Sequence, residues 1–156
     1  MILRKLKNEN VDDYIEAILD EFDSKIKNWK KDISISGKNL RVANVEQSSL
    51  LARYDEIKVN LKSMLDYYDM RIKQVRSESL MMINKNSSYS YTAAEKERLI
   101  DSDPKYLKYH KIYLEIKELH NMLVSIVDQF KNRAYTLNNL VKIYMSSLED
   151  ITLYEE

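Results

Sequence analysis

The chain has 156 residues, with 25 basic and 25 acidic side chains, one glycine, one proline and no cysteine. At this length one domain is the default, large enough to bury a real core. The absence of cysteine excludes disulfides and thiolate metal sites, and a net charge of zero is a poor global signal for nucleic acid.

Strands need turns, and turns draw mostly on glycine and proline. With only Gly37 and Pro104, and 32% charged residues, the composition predicts an all-α fold of long helices. The first is an amphipathic helix over residues 11–32. Its apolar side chains Val11, Tyr14, Ile15, Ile18, Leu19, Phe22, Ile26 and Trp29 keep to one face. A break over 33–44 is expected around Gly37, where Ser34, Ser36, Lys38 and Asn39 favour a turn.

A second helix is expected over 45–83. Leu50, Tyr54, Ile57, Leu61, Met64, Tyr68, Arg71 and Val75 recur at steps of four and three, which is a heptad seam with a cation, Arg71, in an apolar position. Residues 84–103 read as a loop or linker, polar and small from Asn84 through Tyr89 to Thr92, with room for a short helical turn near 93–99.

Asp103-Pro104 is a strong helix start, Asp as N-cap and Pro at the first helical position. The helix that follows, over 104–150, carries the longest regular pattern. Tyr109, Ile112, Ile116, Leu119, Leu123, Ile126, Phe130, Arg133, Leu137, Leu140 and Tyr144 step by three and four. A second stripe, Tyr113, His120, Val127, Ala134, Val141 and Leu148, widens the apolar face beyond a two-stranded seam. One chain of this size offers too few helices to cover it, so self-association is expected. Ile116, Leu119, Leu123, Ile126, Phe130, Leu137 and Leu140 are the expected oligomerisation residues. Arg133 in this seam needs a partner. It is either a register-setting ion pair, with Asp128 or a partner carboxylate, or a cation facing a pore or ligand.

Charge is unevenly placed. Residues 23–76 hold 12 basic and 7 acidic groups, and 104–142 are also net basic, while both ends are acidic. That suggests a local cationic surface; solvated helices varying by chance are the alternative. The start, Met1-Ile2-Leu3-Arg4-Lys5-Leu6-Lys7, is basic without an apolar h-region, and no apolar run approaches membrane-spanning length. The chain reads as a soluble, cytoplasmic protein with no membrane partner.

Signals for catalysis are weak. His110 and His120 are ten residues apart, off one another's helical face, and neither has metal-pair spacing. One glycine cannot make a phosphate loop or a nucleophile elbow. Glu115 and Glu118 read as surface residues, with Lys111 and Glu115 an ordinary i,i+4 pair. No enzyme activity, catalytic residue, metal or cofactor is expected.

Lys62, Tyr67, Tyr68 and Arg71 form the densest group of cations and rings. Such groups hold single-stranded nucleic acid by phosphate neutralisation and base stacking, and they also finish ordinary amphipathic helices. Heptad phasing turns Tyr68 inward and leaves Tyr67 at the seam's edge, the better stacking candidate. Lys58, Lys73 and Arg76 lie on outward positions that would extend a cationic patch. Trp29 is expected to pack the first helix rather than stack on a base.

Over about residues 29–140 the chain resembles the UvsY family of recombination mediators of T4-like phages. Trp29-Lys30-Lys31-Asp32, Ile35, Asn39-Leu40 and Leu51-Ala52-Arg53-Tyr54 are similar to its early segments. Leu65-Asp66-Tyr67-Tyr68-Asp69-Met70-Arg71 resembles its Leu-Asp-Tyr-Tyr-Ser-Gly-Lys/Arg motif. Asp101-Ser102-Asp103 and the long helix follow at suitable spacing, and Asn132-Arg133-Ala134-Tyr135 with Asn139 resembles its closing Asn-Arg-x-Tyr/Phe segment. The resemblance implies a ring-like helical homo-oligomer that binds single-stranded DNA and helps a RecA-like phage recombinase replace single-strand-binding protein, in the cytoplasm of the infected host. Carried over by position, Lys62 and Arg71 are the implied DNA contacts. Met64 stands where relatives often have a second cation, Met70 where they have glycine, and Asn138 where they have lysine. The acidic start of the first helix and the tail after Ser147 look like additions. A structural coiled-coil assembly or adaptor without DNA binding is the alternative reading.

Overall fold

The structure is a computed structural model. It describes the backbone of residues 11–86 and 90–153 and the side chains of 15–85 and 90–147. Helix accounts for 90% of the described residues and strand for none, so the fold is all-α. In order the helices are α1 (Val11–Ile26), α2 (Trp29–Ile33), α3 (Leu40–Asn86), α4 (Ala93–Asp101) and α5 (Pro104–Leu153). The side chains of Val11, Tyr14 and Leu148, and Tyr89 of the expected loop, lie outside the described residues.

Several boundaries differ from the sequence expectation, and α3 and α5 also run on to Asn86 and Leu153. The first helix breaks at Lys27 and Asn28, and α2 restarts from Asn28, whose carbonyl accepts from Asp32 N at 3.1 Å. The Asn28 side chain itself makes no capping hydrogen bond. α3 begins at Leu40 rather than 45, because the Asn39 side chain accepts from Arg41 N at 2.9 Å and caps it. Gly37, at φ +72°, supplies the left-handed turn before it. The expected loop 84–103 contains a full helix, α4, held by a capping box in which Thr92 and Glu95 satisfy each other's backbone N–H. Asp103 acts as expected, its side chain accepting from Lys105 N at 2.8 Å at the start of α5.

The described residues gather into two compact units. The first takes in residues 11–19 and 59–120. Its core is Ile15 and Leu19 from α1, Leu61, Met64, Tyr68 and Val75 from α3, Ile100 from α4, and Tyr109, Ile112 and Ile116 from α5. The heptad positions of α3 therefore face inward as their spacing requires. At one end Ser79 donates to Asp103 at 2.5 Å and Lys105 pairs with Glu78 at 2.9 Å. Arg76 pairs with Glu97 of α4.

The second unit takes in residues 20–58 and 121–153. Phe22, Ile26, Ala43, Tyr54, Ile57, Leu123, Ile126, Val127, Phe130 and Leu137 are buried there. Tyr54 stacks on Phe130 with centroids 4.7 Å apart, and its hydroxyl donates to Asp32 at 2.8 Å. Arg133 is only 4% exposed. It does not pair with Asp128, which bonds Lys131 at 2.8 Å. Instead it donates to the carbonyls of Ile33 at 3.0 Å and Ala43 at 3.2 Å, and to the side-chain oxygen of Gln47. Asp128 sits on the outer face of α5 and Arg133 on the inner one, so the expected pair cannot form.

Candidate nucleic-acid interface

The cations singled out by the sequence divide between the units. Lys58 belongs to the second, where it pairs with Asp55. Lys62, Tyr67, Arg71, Lys73 and Arg76 belong to the first.

Steps of four and three place residues 62, 66, 69, 73 and 76 in one row along α3. The row is exposed at its cations. Side-chain exposure is 56% at Lys62, 73% at Lys73 and 43% at Arg76. It is also internally compensated: Lys62 pairs with Asp66 at 2.7 Å and Lys73 with Asp69 at 2.6 Å. The hydrogen bond to its aspartate, then that carboxylate's charge, raises each lysine above its ordinary value, with a smaller effect from Tyr113 of α5. Glu97 does the same for Arg76, with a smaller effect from Tyr106. Cations held by single ion pairs at an exposed surface exchange partners readily, because such pairs are weak and screened by salt.

Arg71 lies in the seam, where its heptad position puts it. It is half-buried. Nη1 donates to Gln74 at 3.0 Å and Nη2 to the Tyr109 hydroxyl at 3.1 Å, and the guanidinium lies 5.3 Å from the Tyr109 ring centroid. The Tyr109 ring and hydroxyl thus help to accommodate a cation in the apolar seam. Tyr68 is fully buried, as its phase requires. Tyr67 is half-exposed and meets Tyr68 edge-on, centroids 5.3 Å apart.

A further group was not singled out from the sequence. On α5 in the first unit, Tyr106, His110 and Tyr113 are half-exposed. Their rings succeed one another at centroid distances of 5.7 and 6.3 Å with planes 12° and 25° apart. The signal was present as spacing, four and then three, but the heptad seam through Tyr109 and Ile112 drew the reading to the neighbouring face.

The expected oligomerisation residues are mostly taken up by the chain itself. Ile116, Leu123, Ile126, Phe130 and Leu137 are each buried in their own unit, so they are core rather than free interface. Leu119 is half-buried and Leu140 exposed. The apolar surface left on α5 lies further on, at Leu140, Ile143, Tyr144 and Met145. There an open groove of about 380 Å³ is lined by Ile35, Leu40, Leu137, Leu140, Ile143 and Tyr144 among others.

Among the described residues no group of three His, Asp or Glu side chains could hold a metal ion. No helix among them is long and apolar enough to cross a membrane. Comparison with known protein families, curated proteins and solved structures gives no match to this chain.

Proposed function

We propose that the chain binds single-stranded DNA without sequence preference through the exposed row of α3, and acts as a recombination mediator. In that role it loads a RecA-like recombinase in place of single-strand-binding protein. The observation that carries the DNA reading is the row Lys62, Lys73 and Arg76. Lys62 and Lys73 are exposed and Arg76 partly so, and each is held by one surface carboxylate that phosphate can replace. Contacts of this kind read backbone charge and not base identity. The mediator role rests on the resemblance to the UvsY family over residues 29–140. Self-assembly, implied by the same resemblance, uses the exposed apolar end of α5 around Ile143 and Tyr144, and gives avidity on one strand.

The internal pairing of every cation in the row favours a second reading, a helical assembly or adaptor protein that binds no DNA. Gel-shift titration of labelled oligothymidylate at low salt separates the two. A shifted complex that dissolves as salt rises supports the first reading; no complex at low salt leaves the second.

A further inference from the structure

Three rings of α5 lie partly exposed beside the core of the first unit. The buried residues on this stretch of the helix are Tyr109, Ile112 and Ile116. Tyr106, His110 and Tyr113 run beside them as a near-parallel row, 5.7 and 6.3 Å between successive centroids. Lys117 continues the row, its Nζ 5.9 Å from the centroid of Tyr113. Aligned rings with a cation at one end combine π-surface and a phosphate partner, the two elements of a single-strand platform.

We propose that the Tyr106–His110–Tyr113 row is a base-stacking platform for single-stranded nucleic acid, with Lys117 placed to take a phosphate. The proposal rests on the single-strand reading above and adds the part of the ligand that is recognised: unpaired bases as well as the polyanion. It also accounts for a row whose own charges are largely paired. Stacking contributes affinity that does not depend on net positive potential, and it tolerates any sequence because every base has a π-face. A duplex, whose base faces are covered by its own stack, lacks the group that this row takes.

The test compares labelled oligothymidylate with an abasic deoxyribose-phosphate strand of equal length, using the full chain at low salt. The wild type is expected to prefer the base-bearing strand by at least about fivefold, the lower end of one stacked base. His110→Ala with Tyr113→Leu should abolish that preference while binding the abasic strand as the wild type does. Tyr106→Ser with His110→Gln repeats the test at the other end of the row, so that loss of helicity in one variant leaves the other to decide. Equal affinity of the wild type for both strands overturns the platform and leaves the phosphate contacts standing. So does a ring variant that is folded and keeps the preference. If the wild type binds neither strand, the single-strand reading fails and the platform with it.

Discussion

Arg133 and Gln47 bond side chain to side chain across 86 residues of sequence. Gln47 in turn donates from Nε2 to the carbonyl of Phe130 at 2.7 Å, and Arg133 reaches the carbonyls of Ile33 and Ala43. One guanidinium thus ties the end of α2 and the start of α3 to α5. Burial pushes its pKa below the ordinary arginine value. The cation is held by oriented carbonyl dipoles, with no carboxylate bonded to it among the described residues.

Truncating this network should destabilise the second unit. Arg133→Met leaves three acceptors without their donor and is expected to cost about 3 kcal/mol. Gln47→Leu is expected to cost about 2 kcal/mol, since the buried cation loses an acceptor. Arg133→Lys should not rescue, because an ammonium lacks the planar fork that spans these acceptors. Urea unfolding followed by circular dichroism measures each.

Tyr54 predicts a change at alkaline pH. Burial, then its hydrogen bond to Asp32, pushes the phenol well above its ordinary value of 10.0. In the unfolded chain the phenol ionises near pH 10, while in the folded chain it stays protonated. Its contribution is therefore complete below pH 10 and is lost as pH rises toward the folded value. Tyr54→Phe removes the Asp32 bond, costing about 1 kcal/mol at neutral pH, and should make thermal stability less steep above pH 10.

Asp103 predicts the opposite sign at acid pH. Its bond from Ser79, with smaller help from the backbone of Lys105 and Tyr106, holds its carboxyl below the ordinary value of 3.8. The stability it contributes is present above about that value and is lost as pH falls through the folded one. Ser79→Ala should raise the Asp103 pKa in an NMR titration and reduce the acid-dependent part of stability.

The long helix offers a contrast between core and assembly. Phe130→Ala should lower monomer stability by about 4 kcal/mol, because Phe130 is fully buried against Tyr54. Ile143→Asp with Tyr144→Ser, at positions 61% and 60% exposed, should leave the helical spectrum intact and lower the mass in sedimentation. A mass unchanged from wild type would remove this end of α5 from the assembly surface.

The sequence carried the helical class and the inward phase of α3 well. Leu61, Met64, Tyr68 and Val75 are buried in the first unit, because a three-four repeat has only one face to bury. It carried tertiary choices less well. Whether Leu123 and Phe130 cover their own chain or another is decided by how α2 and α3 return, and a one-dimensional pattern does not encode that. Arg71 and Arg133 were marked as cations in seams, but the Tyr109 hydroxyl that Arg71 reaches, and the three carbonyl oxygens that Arg133 reaches, are neutral groups distant in sequence. Helical spacing alone does not point to such partners. The Tyr106–His110–Tyr113 row was legible as spacing, yet its exposure depended on which neighbouring face the core took.

The central claim is that Lys62 and Lys73 meet phosphates of a single strand. Fluorescence anisotropy of labelled oligothymidylate, measured over a range of salt for the wild type and for Lys62→Ala with Lys73→Ala, tests it most directly. Each single-strand phosphate contact contributes about 0.7 to the slope of log affinity against log salt. Affinity is expected to fall as salt rises, and the double variant to bind more weakly with a slope shallower by about 1.4. A wild type that fails to bind at low salt, or a variant with unchanged affinity and slope, would contradict it.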